Sequence, residues 1–163
     1  MPGGPIFPYS VDLRTEGKLF DSVAVSGSRY DRGIGVMASL DGNAEVELRF
    51  LLPEIIPSGT CKLLLSAQAN ATSGVAKVNP SWALDAAEDI PGDSTLTAEG
   101  TSTITWSSGD AYAYKELAIT LDGSESIGSG DERKRLVMKL TFETSSWTLA
   151  AVSTWMMPAL IWE

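Results

Sequence analysis

The sequence predicts an all-β protein: a single-domain, jelly-roll-like β-sandwich of about eight to ten short antiparallel strands with little helix. Three observations predict it. Apolar residues recur at every second position, which lines one face of a pleated strand. Turn-forming residues such as Pro57-Ser58-Gly59, Ser108-Gly109-Asp110 and Asp122-Gly123 separate these runs at short intervals. No segment carries an apolar stripe at helical spacing beyond a single turn.

Taken in order, the chain opens with "MPGGPIFPYS", rich in proline and glycine with Ile6, Phe7 and Tyr9 interspersed. This predicts an extended N-terminal arm over 1–10 and a sandwich domain over 11–163. "SGSRYDRGIG" has glycines but neither a P-loop lysine in register nor dinucleotide-binding spacing, and predicts a loop between strands. In "AEVELRF", Ala44, Val46, Leu48 and Phe50 alternate with Glu45, Glu47 and Arg49, the pattern of a half-buried strand. "FLLPEIIPSG" follows. Proline has no N–H for a ladder, so Pro53 and Pro57 predict a crossover or edge, with Ile55 and Ile56 pinned into the sandwich end.

"CKLLLSAQA" sets Leu63, Leu65, Ala67 and Ala69 on one side of the next strand. "SWALDAAEDIPG" has room for one helical turn before Pro91, and the Thr- and Ser-rich "TLTAEGTSTITW" suits strands with a solvent face. "KELAITL" buries Leu117, Ile119 and Leu121, and "RLVMKLTFE" buries Leu136, Met138, Leu140 and Phe142. "WTLAAVSTW" has two weakly polar faces and predicts a strand covered on both sides. "ALIWE" is a last short strand with Leu160 and Trp162 on one face.

Composition narrows the function. With 163 residues, 44% of them hydrophobic, the chain has enough apolar material for one packed core. A formal net charge of −9 argues against a nucleic-acid partner, which needs clustered Lys and Arg. The one dense basic stretch, Arg133-Lys134-Arg135, follows Asp131 and Glu132 and predicts a solvated turn. A single Cys61 rules out an internal disulfide framework. No apolar run approaches membrane-spanning length, so no membrane association is expected, and the first residues lack the regions of a secretory signal.

The chain has no histidine, which removes the usual general base and the commonest transition-metal ligand. No enzymatic activity, catalytic residue or cofactor is therefore expected. Paired carboxylates could still serve glycoside hydrolysis: Glu45 with Glu47, the group Asp85, Glu88 and Asp89, or Asp131 with Glu132. All fall on solvent faces or in turns. "ESIGSGDE" and "AAEDIPGD" gather oxygen ligands suited to calcium, but neither matches a known calcium loop, and acidic turns are the favoured reading. No metal site is assigned.

The five tryptophans allow two readings. Trp82 and Trp106, if exposed on one sheet face, would form a platform for stacking glycans. The alternative places them in the core with each indole N–H on a carbonyl. Trp155, Met156 and Met157, in a Pro-broken link near the end, are candidates for a subunit contact.

The stretches "RFLLPEIIPSGTCKLLLSAQANATSGVAKVNPSWAL", "ELAITLDG", "GDERKRLVMKLTFE" and "ALIWE", over about 44–163, resemble small jelly-roll proteins encoded by tailed bacteriophages. The pattern departs at "VNPSWAL", where proline interrupts the strand. The resemblance implies a structural virion protein, foremost a capsid decoration protein, made in the host cytoplasm and carried on the virion. It further implies a homo-oligomer, for instance a trimer, held to a capsid or other virion protein. Ile6, Phe7 and Tyr9 would then anchor the arm, and Trp155, Met156 and Met157 would line the interface. A carbohydrate-binding β-sandwich that stacks glycans on Trp82 and Trp106 is the alternative function.

Overall fold

The computed structural model describes residues 3–13, 19–22, 33–36, 43–69, 71–85, 95–111, 113–123, 125–149, 153–155 and 158–163. Among them are twelve strands: β1 (Ser10–Leu13), β2 (Leu19–Ser22), β3 (Gly33–Val36), β4 (Ala44–Leu51), β5 (Cys61–Ala69) and β6 (Gly74–Asp85). Then come β7 (Thr97–Ala98), β8 (Ser102–Trp106), β9 (Lys115–Thr120), β10 (Arg135–Phe142), β11 (Ser153–Trp155) and β12 (Ala159–Trp162). A short 3-10 helix covers Thr144–Ser146.

They form two antiparallel sheets, the jelly-roll-like sandwich that the alternation predicts. The first runs β1-β4-β10-β6, with β7 and β8 paired in succession along the free side of β6. In the second, β9 flanks one side of β5, β12 and β11 share the other side, and β3 and β2 complete the sheet.

The inward phases meet between the sheets. Ala44, Val46, Leu48 and Phe50 of β4 face the core with Leu136, Met138, Leu140 and Phe142 of β10, all fully buried. From the second sheet come Leu63, Leu65, Ala67 and Ala69, joined by Leu160 and Trp162. Burying a side chain of this size stabilises the fold by about 1.5–3 kcal/mol, so these strands supply most of the driving force. The expected crossover between Phe50 and Gly59 carries the chain from the first sheet to the second. Its isoleucines divide: Ile56 packs against the core, but Ile55 is 79% exposed, so only one of the pair is pinned.

Pro80 does not interrupt its strand. β6 runs through it, and Pro80 pairs with Leu140 on one side. On the other side the register shifts by one residue between Ser81↔Ala98 and Val78↔Ser102, a bulge over Glu99–Thr101. Pro80 accepts a hydrogen bond from Glu99 N at 2.9 Å, so its missing N–H points toward that bulge, where no ladder bond is lost. Gly100 supplies the left-handed backbone the bulge needs, at φ +91°.

Residues 81–85, which open "SWALDAAEDIPG", are strand, and the rest of that stretch, where a helical turn was expected before Pro91, lies outside the described residues. The expected loop "SGSRYDRGIG" ends in β3, whose Gly33 and Gly35 alternate as a strand must. Of the described residues of "WTLAAVSTW", Ser153–Trp155 are strand and 147–149 are not; Trp147 follows the 3-10 helix, and its indole donates to Lys77 O at 2.8 Å. The stretch expected as an extended N-terminal arm is bonded to the rest of the chain over its described residues. Ile6 and Leu160 exchange N–H···O bonds of 2.9 and 2.8 Å, Tyr9 N donates to Arg49 O, and β1 already begins at Ser10. Residues 3–10 thus tie one sheet to the other.

Candidate functional site

The outer faces of the two sheets differ in how their polar groups are satisfied. On the first sheet, Arg49 bonds Glu47 at 2.8 Å and Lys139 pairs with Glu45 across the ladder at 3.3 Å. Two of the carboxylates considered for hydrolysis are thereby engaged with cations. Asp131 accepts from Gly128 N and from Lys134, and Glu132 accepts from Gly130 N, so this pair shapes its own turn. Glu88 and Asp89 lie outside the described residues, as does all of "AAEDIPGD". No group of three or more metal-ligating side chains occurs among the described residues.

The second sheet presents another kind of face. Along β9 the alternation puts Leu117 and Ile119 inward and Glu116, Ala118 and Thr120 outward. Across the ladder, Glu116 stands opposite Ser66, Ala118 opposite Leu64 and Thr120 opposite Lys62. Neither the Glu116 carboxylate nor the Ser66 hydroxyl has a hydrogen-bond or ion-pair partner among the described residues. Continuing the register by one residue sets Tyr114 opposite Gln68, on the same outer phase. Tyr114 is 50% exposed, while Gln68 is buried in spite of its outward phase. Thr154 follows opposite Gln68, then Gly35, then Phe20, in one row across the sheet.

Tyr114 is held from both sides. Asp110 closes a turn by accepting from Ser107 N at 2.7 Å and Ser107 Oγ at 2.8 Å. Ala113 N donates to Asp110 O at 2.8 Å, and Lys115 Nζ lies 2.8 Å from Asp110 Oδ2. The Lys115 ammonium and the Ser107 donors hold the Asp110 carboxyl down at about 2, so its charge persists through the whole neutral and mildly acid range. Both chain neighbours of Tyr114 are thus tied to one carboxylated residue.

The sequence-predicted residues lie elsewhere. Trp82 and Trp106 are each 1% exposed, inside the sandwich, and offer no ring face to a sugar; their assignment as a glycan platform is corrected. The cause is strand phase. Trp82 sits opposite Met138 and Trp106 opposite Gly74, both on the inward side. The Trp82 indole donates to Glu99, which also accepts from Gly123 N at 3.0 Å and so ties the bulge to the loop after β9. The Trp106 and Trp162 indole N–H groups have no partner in the described structure. Phe7 and Tyr9 are more than half exposed, and Ile6 is engaged with β12. Trp155 lies in β11 opposite Ala67, and Met156 and Met157 fall outside the described residues. Cys61 is buried, which pushes its thiol up to about 12 and keeps it in the unreactive protonated form.

Tyr114 was missed by sequence reasoning. The available signal was its place in "AYAYKELAIT", where an aromatic occupies the phase otherwise held by Glu116, Ala118 and Thr120.

No protein family matches the chain, and no curated protein matches it in sequence. Its fold is similar to solved structures. One is the N-terminal CBM22-1–CBM22-2 tandem domain of Paenibacillus barcinonensis Xyn10C, with a TM-score of 0.54 and 13% identity over 94% of this chain and 46% of that one. Another is a candidate sugar-binding protein from Bacteroides thetaiotaomicron VPI-5482, with a TM-score of 0.50 and 11% identity over 97% and 86%. A third is the CBM22-1–GH10 module pair of Clostridium thermocellum xylanase 10B complexed with xylohexaose, at 0.50 and 9% over 100% and 29%. This chain thus spans less than half of the first and third of these structures. The likeness is one of fold, to the β-sandwich of carbohydrate-binding modules. It overturns the expectation of a capsid-associated phage decoration protein, whose clasping arm is here bonded to the chain's own last strand.

Proposed function

We propose that this chain is a non-catalytic carbohydrate-binding module that receives a glycan on the outer face of its second sheet. One observation carries the reading: the half-exposed ring of Tyr114 adjoins Glu116 and Ser66, polar groups without partners among the described residues. A pyranose ring has an apolar C–H face and a rim of hydroxyls. It needs a flat aromatic surface to cover the first and fixed donors and acceptors for the second. Tyr114 supplies the surface, the Ser107–Asp110 turn fixes its place, and Glu116 and Ser66 supply the polar groups. The similarity of the fold to carbohydrate-binding modules supports the reading.

Affinity gel electrophoresis against a panel of soluble polysaccharides tests it. The expected result is retardation by at least one polysaccharide, abolished in Tyr114→Ala and retained in Arg49→Ala on the opposite face. Retardation by none, or equal retardation of the Tyr114→Ala protein, rejects it.

A further inference from the structure

Glu116 is exposed, lies in the middle of the candidate face, and has neither an ion pair nor a hydrogen bond among the described residues. The cations nearby are otherwise engaged. Lys62, on the same outer phase, bonds Glu163 at 2.7 Å, and Lys115, on the inward phase, bonds Asp110 at 2.8 Å. Across the ladder stands the hydroxyl of Ser66, without a partner among the described residues, and two residues back stands Tyr114. Around Glu116 the described outer phase holds the hydroxyl-bearing Thr120 and the apolar Ala118 and Leu64. Among the described residues Glu116 is thus an uncompensated charge on this face, and the chain as a whole adds a formal charge of −9.

We propose that Glu116 determines the class of ligand: the face takes an uncharged glycan and rejects a uronic-acid glycan. This inference rests on the module reading given above. A carboxylate with neither oxygen bonded among the described residues accepts hydrogen bonds from two neighbouring hydroxyls of a ring packed on Tyr114, and such charge-assisted bonds are the stronger kind. The same charge repels a uronate carboxylate held against it, and no free cation of the described face compensates. Glu116 is a binding residue in contact with the ligand, whereas Ser66 adds one hydroxyl from the opposite strand.

The test is isothermal titration of the full chain with neutral xylo-, gluco- and galacto-oligosaccharides and with galacturonate oligomers, on the wild type, Glu116→Gln and Glu116→Lys. Thermal melts of each variant control for folding, and an exposed strand position is expected to tolerate both changes. The wild type is expected to bind a neutral oligosaccharide at least tenfold more tightly than any galacturonate oligomer. Glu116→Gln is expected to lose about tenfold for the neutral ligand, one charge-assisted hydrogen bond's worth. Glu116→Lys is expected to gain affinity for galacturonate. Unchanged neutral affinity in Glu116→Gln, or equal wild-type affinity for both classes, overturns the inference and leaves the module reading standing. A wild type that binds no oligosaccharide overturns both.

Discussion

On the outer face of the first sheet, Glu45 reaches Lys139 and Glu47 reaches Arg49, so the charges of β4 and β10 neutralise one another. On the outer face of the second, Glu116 and Ser66 stand beside Tyr114 with no partner among the described residues. Both faces come from the same apolar–polar alternation, and both strand pairs are regular ladders. The difference is in whether the polar groups find each other. A face whose donors and acceptors are mutually satisfied gains nothing from a ligand that must first break those pairs. A face with free groups around an exposed ring offers a ligand new bonds at little cost in lost ones.

The largest expected effect concerns neither face but the interior that carries both. Truncating Trp82 to alanine removes a fully buried indole and the donor that holds Glu99. Such changes cost about 3–5 kcal/mol. Chemical denaturation is expected to show a loss of that size, with glycan affinity following only the fraction folded. A Trp82→Ala protein that keeps its stability and loses binding would return Trp82 to the ligand face and break the comparison.

Next in size is the contrast between Tyr114→Ala and Arg49→Ala. The first is expected to lower glycan affinity at least tenfold, about 1.4 kcal/mol, with unfolding free energy changed by no more than about 0.5 kcal/mol. The second is expected to leave affinity unchanged and cost less than about 1 kcal/mol of stability, as partly exposed ion pairs do. Paired titration and denaturation curves separate these outcomes. Equal binding losses in both variants would mean that the faces are not functionally distinct.

Ionic strength sharpens the same contrast with a smaller effect. The pairs of the first face weaken as salt shortens the Debye length to about 3 Å at 1 M. Stability is therefore expected to fall slightly with added sodium chloride, by less in the Arg49→Ala protein than in the wild type. Binding of an uncharged glycan is expected to be insensitive to salt over the same range, because no ion pair forms with the ligand. A steep salt dependence in the titrations would show instead that the ligand is charged.

How much of this was legible in the sequence follows from what alternation encodes. A period of two identifies a strand and the residues that share its inner face, and it identified β4, β5 and β10 down to their fully buried positions. It also runs through Pro80, where Ala76, Val78, Pro80, Trp82 and Leu84 alternate with Lys77, Asn79 and Ser81 and give Trp82 the inward phase; reading the proline as a strand break hid that signal. Pairing is equally hidden: Ile6 and Leu160 are 154 positions apart, and nothing local to either announces the bridge. Tyr114 was readable as an aromatic in a polar phase. That Glu116 has no partner among the described residues while Glu47 is paired was not, because Arg49 is a sequence neighbour of Glu47 whereas the groups around Glu116 are set by ladder register.

The smallest expected effect tests how the second face is held in place. Asp110 ties Ala113 and Lys115, on either side of Tyr114, and its carboxyl is lowered from 3.8 to about 2, chiefly by Lys115 and then by Ser107. A carboxyl whose folded value is depressed contributes stability that is fully present above its unfolded value, near 4, and is lost as pH falls toward and through about 2. Replacing it by Asp110→Asn removes that contribution at neutral pH and leaves nothing to lose in acid. Melting temperatures of the two proteins are thus expected to differ at pH 6 and to converge as pH approaches 2. Glycan affinity at neutral pH is expected to fall by less than in Tyr114→Ala, since the ring remains but its tether is loosened. If the melting curves converge as stated while affinity is untouched, the Ser107–Asp110 turn stabilises the end of β9 without positioning the ring. The rigidity of the second face must then come from the register of β9 on β5 alone.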